Sequence, residues 1–133
     1  MTLADTSVWI DYFNCNDSRA TEYLDECLIE GTVAIGDLIY LEILQGFRRD
    51  KDFRSAKNRL QILTIYELFG LDAVERCAKN YRSLRKKGIT VRKTTDVIIA
   101  SFCIQNKMPL LFLDKDFIPF VKHLGLSPAL RET

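Results

Sequence analysis

Four acidic residues lie in apolar surroundings, at positions where their carboxylates could share a cation. Asp5 and Asp114 each end a short apolar stretch that is typical of a buried strand. Glu42 lies in a helical segment with no polar face, and Asp96 opens an apolar stretch that continues to Ile104. If these partly buried carboxylates converge, they repel one another unless a cation joins them. Oxygen ligands select a hard cation, so the sequence predicts Mg²⁺ or Mn²⁺.

Each of these acids also has an ordinary structural interpretation. Asp5 and Asp114 could cap the helices that follow them. Asp96 would lie in the first turn of its helix, where the helix dipole favours a negative charge. Glu42 could lie on a solvated face, although its neighbours are apolar. The metal hypothesis therefore depends on the four acids taken together.

A cation held by carboxylates suits the hydrolysis of phosphodiesters, because it activates water and neutralises charge that develops on phosphate. The chain also has a basic segment that could bind such a substrate. Residues 45–93 carry fourteen basic and five acidic residues, whereas residues 1–44 carry nine acidic residues and one basic residue. The two regions could simply attract one another, but clustered bases also bind phosphates. The predicted phosphate-binding residues are Arg48, Arg49, Lys51, Arg54, Arg85, Lys86, Lys87, Arg92 and Lys93.

Predicted strands and helices alternate along the chain and position these residues. The predicted strands cover residues 2–4, 32–35, 61–65, 109–113 and 126–128. The predicted helices cover residues 7–13, 20–29, 38–48, 52–60, 71–87, 95–105 and 115–124, with caps at Asp17 or Ser18, at Asp37 and at Thr94 or Thr95, and a closing glycine at Gly88. This alternation indicates an α/β fold with a parallel sheet covered on both faces. Ligands of such sheets bind at the carboxyl ends of the strands, where Asp5 and Asp114 lie.

Length and composition indicate an ordinary globular chain. With 133 residues, 47% of them apolar and 28% charged, one domain over residues 1–133 is expected. The apolar stretches are too short to span a bilayer, and residues 1–15 lack the basic start of a signal peptide, so we expect a cytoplasmic protein. The four cysteines have no paired spacing and are expected to be free thiols. The single histidine, His123, argues against a histidine-rich zinc site and a Ser–His–Asp triad.

The segment from Leu3 to Asp11 resembles the opening of PIN-domain proteins, specifically the VapC toxins of prokaryotic toxin–antitoxin pairs. Three further features agree with that family in order and rough spacing. They are Glu42 in a helix after the second strand, Asp96 at the start of an apolar helix, and the motif Asp114-Lys115-Asp116-Phe117 after a strand. The resemblance covers essentially the whole chain.

This resemblance implies an α/β/α sandwich around a parallel sheet of four to five strands and Mg²⁺-dependent endoribonuclease activity. It also implies a homodimer and inhibition by a small VapB-type antitoxin encoded beside it. It makes Asp5, Glu42, Asp96 and Asp114 the metal-site acids, gives Asp116 a role in positioning metal or water, and gives Thr6 and Ser7 supporting roles. Phe112 replaces a Ser or Thr found in many relatives, which leaves the relative roles of Asp114 and Asp116 open.

Other interpretations remain at this point. A phosphoaspartyl enzyme also places an Asp after its first strand, but the haloacid-dehalogenase pattern needs a second Asp where Ser7 stands. A PIN-like protein that only binds a protein or RNA partner is another alternative, as is a nuclease that cuts DNA. The first helix carries Trp9, Ile10, Tyr12 and Phe13, which could belong to the core or to a surface for a partner.

Overall fold

A four-stranded parallel sheet forms the centre of the protein in a computed structural model, which describes residues 1–131. The strands are β1 (Thr2–Ala4), β2 (Val33–Gly36), β3 (Thr64–Tyr66) and β4 (Leu110–Leu111), arranged in the order β3-β2-β1-β4. The expected single domain also includes residues 132–133, which lie outside the described residues. The parallel sheet with flanking helices confirms the predicted α/β/α class.

Seven α-helices and one short 3₁₀ helix connect or follow the strands within residues 1–131. They are α1 (Thr6–Phe13), α2 (Arg19–Glu30), α3 (Asp37–Gln45), α4 (Asp50–Leu60), α5 (Leu71–Lys86), α6 (Thr94–Gln105), the 3₁₀ helix Lys115–Phe117 and α7 (Ile118–Leu124). Helix α1 packs against α2 and α3, α3 packs against α4, and α5 packs against α6 and α7. Both groups bury their apolar faces against the sheet and one another.

The central strands are apolar because both faces of the sheet are covered. Leu3, Ala4, Ala34, Ile35 and Leu110 are completely buried. Such continuous apolar runs are typical of parallel strands between helices. Strand β1 is an inner strand that pairs with both β2 and β4. The residue that follows it therefore lies at the carboxyl ends of the strands, between two neighbouring strands. That residue is Asp5.

Most predicted boundaries agree with the structure within one or two residues, and the clearest errors are at the ends of the chain's short strands. The predicted strand 109–113 has only two residues in β4, and the predicted strand 126–128 is a single bridge between Leu110 and Pro128. Strand β3 begins three residues later than predicted. Helix α3 ends at Gln45 rather than near Arg48, because Gly46 follows it. Glycine is a poor helix former.

Two of the predicted helix caps are also wrong. Gly36, and not Asp37, is the N-cap of α3, and Lys93, and not a threonine, is the N-cap of α6. The serine cap of α2 and the closing glycine of α5 were predicted correctly. Ser18 forms a capping box with Thr21 at the start of α2, and Gly88 has the positive φ (82°) expected after a helix C-terminus.

The cysteines and the first helix agree with their simplest interpretations. Cys27, Cys77 and Cys103 are buried, Cys15 is exposed, and all four are free thiols. Trp9 is a core residue, whereas Ile10 on the same helix is 46% exposed. A separate observation concerns membranes: no helix within residues 1–131 is both long enough and apolar enough to cross one.

Candidate active site

The first acid, Asp5, lies at the carboxyl end of β1 and is buried. Its backbone N–H donates to the carbonyl of Leu111 at 2.8 Å, so the ends of β1 and β4 are held side by side. This pairing brings the residues that follow β4 close to Asp5. They include Asp114, which was predicted to lie at the same edge. The sheet therefore places both strand-end acids where the sequence predicts them.

Helix capping and burial act together on Asp5. Its Oδ2 accepts hydrogen bonds from Ser7 Oγ at 2.9 Å and from Ser7 N at 3.4 Å, so it is the N-cap of α1. Burial raises the pKa of Asp5, the bonds from Ser7 lower it, and the negative charge of Glu42 raises it further. Asp5 is therefore a helix cap, as one interpretation predicted. Its pKa is still raised, because the bonds from Ser7 do not fully offset the burial of the charged carboxylate.

Three other carboxylates converge beside Asp5. Asp96, Asp114 and Asp116 each place one oxygen within 4.8 Å of the others. Asp96 is in the first turn of α6, and Asp114 caps the 3₁₀ helix by accepting from Asp116 N at 2.9 Å. Asp5 and Glu42 are not members of this close trio, although the charge of Asp5 acts on Asp96. We call Asp5, Glu42, Asp96, Asp114 and Asp116 the acidic cluster.

Asp96 is the least satisfied member of the acidic cluster. It is 6% exposed, and its Oδ2 has no hydrogen-bond partner among the described residues. Burial raises the pKa of Asp96 to about 6, with further contributions from Asp5, Asp114 and Asp116 and an opposing one from Lys93. A buried carboxylate oxygen without a partner is rare because desolvation is costly. A bound cation would supply the missing partner.

Glu42 reaches the acidic cluster from α3 and is held by a neighbour of Asp5. Thr6 Oγ1 donates to Glu42 Oε1 at 2.9 Å. Thr6 and Ser7 therefore each fix one acid, and both belong to the first turn of α1. The donor set of the cluster consists of carboxylate oxygens, which suits Mg²⁺ or Mn²⁺ and does not suit a soft metal.

Two basic side chains contact the acidic cluster directly. Arg92 Nη2 lies 3.1 Å from Oδ1 and 2.9 Å from Oδ2 of Asp116, and Lys93 Nζ lies 3.8 Å from Asp114 Oδ2. Both residues were predicted to bind phosphate. In this structure they bind carboxylates instead, because the segment before α6 ends at the same edge of the sheet as the acids.

A comparison with protein families gives a direct assignment. The family model of the PIN domain matches residues 2–120. The chain belongs to the PIN domain family. This match includes every member of the acidic cluster, from Asp5 to Asp116.

Curated relatives of this PIN domain are similar over almost the whole chain. The protein named Ribonuclease VapC11 from Mycobacterium tuberculosis is 30% identical over 134 residues, covering 97% of this chain and 98% of that protein. A VapC ribonuclease from Mycobacterium bovis has the same identity and coverage.

Solved structures share the fold of this PIN domain. VapBC2 from Rickettsia felis, in a complex with a promoter DNA fragment, has a TM-score of 0.75 at 16% identity and covers 96% of both chains. A toxin–antitoxin complex from Klebsiella pneumoniae has a TM-score of 0.69 at 18% identity, covering 99% of this chain and 100% of that chain.

The other predicted phosphate-binding residues of this PIN domain are exposed and lie on different elements. Arg48 and Arg49 are in the turn between α3 and α4, whereas Arg85, Lys86 and Lys87 are at the end of α5. Arg85 lies over the ring of Tyr81, 5.6 Å from its centroid. Within residues 1–131, none of these five forms a salt bridge, and neither do Lys51 and Arg54, which are exposed on α4.

Two features of the site were missed from the sequence. The contact between Arg92 and Asp116 joins residues 24 positions apart, and the only available signal was that both flank predicted site acids. Asp37, a further acid at a strand end, was expected only as a cap. Its Oδ1 accepts from Leu38 N at 2.8 Å and from Leu68 N at 3.0 Å, so it ties α3 to the segment before α5.

Proposed function

We propose that this PIN domain, over residues 1–133, is a metal-dependent endoribonuclease and the toxin of a type II toxin–antitoxin pair. The observation that carries the nuclease proposal is the convergence of Asp96, Asp114 and Asp116, together with the buried Oδ2 of Asp96, which has no hydrogen-bond partner among the described residues. The names of the curated relatives support RNA as the substrate, since both are called ribonucleases. Membership of the PIN domain family supports the same reaction class.

In this proposal the acids hold Mg²⁺ or Mn²⁺, and their neighbours position them. Asp5, Asp96, Asp114 and Asp116 would be ligands directly or through water, with Glu42 beside them. Such an ion, held by these acids, would supply an activated water for attack on phosphorus and would neutralise charge on the phosphate. Ser7 restrains Asp5, and Thr6 restrains Glu42. Arg48, Arg49, Arg85, Lys86, Lys87, Arg92 and Lys93 would bind the RNA backbone.

The test is cleavage of total and structured RNA by the purified protein, with Mg²⁺ and with EDTA. Asp5→Asn and Asp96→Asn are expected to lower the rate more than about 100-fold, because each removes a charge from the cation site. Asp72→Asn is the matched control, since Asp72 is an exposed acid in the first turn of α5. It should cut like the wild type.

The outcome also separates the main alternatives. Cleavage that needs Mg²⁺ and disappears in Asp5→Asn establishes the nuclease. Binding of Mg²⁺ without cleavage of any RNA by the folded protein contradicts it and favours a domain that only binds a partner. Cleavage of single-stranded DNA at the same rate as RNA contradicts the assignment of RNA as the specific substrate.

We also propose that the protein acts in the cytoplasm as a homodimer that a VapB-type antitoxin inhibits. Free thiols are typical of a reducing compartment. Phe69 and Val74 are exposed and line a cavity of about 340 Å³, and with the exposed Leu71 of the same segment they offer an apolar surface for a second copy. Light scattering of the purified protein tests the dimer, and adding the antitoxin encoded beside it to the cleavage assay tests inhibition.

A further inference from the structure

The ion pairs of this protein are concentrated at one place. Among the described residues, two salt bridges form between basic and acidic side chains, and both involve the acidic cluster. Arg92 binds both oxygens of Asp116, and Lys93 approaches Asp114. The many other charged side chains in residues 1–131 make no such contact. Arg92 and Lys93 therefore respond to the charge of the cluster.

The ion pair between Arg92 and Asp116 is exposed and can break at little cost in stability. The side chain of Arg92 is 76% exposed, and that of Asp116 is 23% exposed. Exposed ion pairs contribute little net stability, because water solvates both partners when the pair is broken. Arg92 also belongs to residues 87–93, which connect α5 to α6 without regular secondary structure. Its side chain can leave Asp116 without disturbing a helix or the core.

We propose that Arg92 is an internal counter-ion of the acidic cluster, which a divalent cation displaces from Asp116, and that the freed guanidinium then binds an RNA phosphate. The second half of this proposal rests on the proposed ribonuclease function. The first half needs only a cation site at Asp96, Asp114 and Asp116.

The physical reason is competition for the same carboxylate. Asp116 contributes an oxygen to the trio that lies within 4.8 Å, and both of its oxygens are within hydrogen-bond distance of Arg92. A divalent cation at the trio would repel the guanidinium, since both are positive. Once released, Arg92 lies at the mouth of the site, where the phosphate of a substrate carries the opposite charge. A planar guanidinium suits bidentate binding of phosphate oxygens.

The test compares Mn²⁺ affinity in Arg92→Gln, Arg92→Lys and Arg19→Gln by calorimetry at low ionic strength. Arg19 is an exposed arginine on α2, which contributes no residue to the acidic cluster, so its variant removes the same charge elsewhere. The Arg92→Gln variant should bind Mn²⁺ roughly two- to fivefold more tightly than the wild type, the range expected for loss of an exposed ion pair. The Mn²⁺ affinity of Arg92→Lys should lie between those of the wild type and Arg92→Gln. The affinity of Arg19→Gln should equal that of the wild type.

The direction of the change separates this role from a purely structural one. If Arg92 only orients Asp116 for the metal, its removal weakens Mn²⁺ binding, and that result would overturn the proposal. An unchanged affinity would overturn it as well. The increase in Mn²⁺ affinity of Arg92→Gln should be smaller in high salt, because salt screens the interactions between exposed charges.

Cleavage kinetics in saturating Mg²⁺ test the second half. Arg92→Gln should raise the KM for RNA roughly two- to fivefold, the effect of losing one exposed charge contact, with kcat nearly unchanged. An unchanged KM contradicts phosphate binding by Arg92. If the wild type cuts no RNA at all, the proposed function fails, whereas the Mn²⁺ affinities still decide whether Arg92 is a counter-ion.

Discussion

Asp96 is a buried carboxylate whose Oδ2 receives no hydrogen bond from any residue that the structure describes. Its position in the first turn of α6 provides the favourable end of the helix dipole, but burial and the nearby acids outweigh this. The same residue that weakens the metal-free fold is therefore the one best prepared to bind a cation. Functional sites commonly contain groups whose electrostatics reduce the stability of the fold but are needed for activity.

The raised pKa of Asp96 predicts how the metal-free protein responds to pH. The pKa is about 6 in the folded state and near the ordinary 3.8 in the unfolded chain, so the folded state binds the proton more tightly. Stability from this group is fully present below pH ~4 and is lost as the pH rises through about 6. Asp96→Asn should therefore raise the free energy of unfolding in EDTA by about 3 kcal/mol at pH 7.5, and by roughly half of that at pH 5.

Urea unfolding in EDTA at the two pH values measures this effect. Asp72→Asn is again the control, because Asp72 occupies the same helical turn of α5 but is exposed. It should change the stability little at either pH. An equal gain for Asp96→Asn at pH 5 and pH 7.5 would show that the group does not titrate in this range. A loss of stability would show that the ionised form is favoured by the fold.

At the scale of the elements, the turn from β2 into α3 positions Glu42 and depends on a close approach at Gly36. A Cβ at Gly36 would overlap the side chain of Leu68, which is 2% exposed and cannot move into solvent. Leu68 is itself held by the bond from its backbone N–H to Asp37 Oδ1. The glycine therefore allows the segment before α5 to lie directly against the end of β2.

Gly36→Ala should lower the free energy of unfolding by about 1–3 kcal/mol, the usual effect of forcing an extra carbon into a packed core. Thermal unfolding followed by circular dichroism measures the loss. Gly70→Ala is the control, because its extended backbone suits any residue and nothing lies within 4 Å of the added Cβ. If both variants melt at the same temperature, Leu68 adapts freely and the close approach is unimportant. The Gly36→Ala/Leu68→Ala double variant should lose less than the sum of the single losses.

The elements also show what a sequence can and cannot reveal. Helices α2 and α5 were predicted well because each has its own apolar periodicity and its own stop signal, at Gly31 and Gly88. Strand β4 was predicted too long because only two of its apolar residues pair with β1, and pairing is a property of the neighbour. The strand-end acids were identifiable from their apolar surroundings. The ion pair of Arg92 was not, since side-chain contacts across 24 residues leave no local pattern.

At the scale of the whole molecule, the uneven charge distribution has two different explanations. One is attraction between residues 1–44 and the basic segment, but no salt bridge among the described residues joins these two regions, because Arg92 and Lys93 pair with Asp116 and Asp114 instead. Arg48, Arg49, Lys86 and Lys87 are exposed and, within residues 1–131, form no salt bridge. These residues remain available for a polyanion. The predicted basic segment therefore divides into Arg92 and Lys93, which pair with the acidic cluster when no metal is bound, and exposed residues that we expect to bind RNA with or without a metal.

This division makes a prediction about the salt dependence of RNA binding. Each lysine that contacts a phosphate of single-stranded RNA contributes roughly 0.7 to the slope of log affinity against log salt concentration. The Lys86→Gln/Lys87→Gln double variant should therefore weaken binding and flatten this slope by up to about 1.4. Fluorescence anisotropy with a short single-stranded RNA measures it, in EDTA so that no metal-dependent cleavage occurs.

The control must remove the same charge from another exposed surface. Lys79→Gln/Lys122→Gln does so, because Lys79 and Lys122 are exposed on α5 and α7 and were not predicted to bind phosphate. A general field effect of the protein's net charge would flatten the slope equally in both double variants. If Lys86 and Lys87 contact the RNA directly, the slope flattens only in the Lys86→Gln/Lys87→Gln variant. An unchanged slope in that variant would remove the end of α5 from the RNA path and leave the turn at Arg48 and Arg49, and Arg92 beside the acidic cluster, as candidates for phosphate binding.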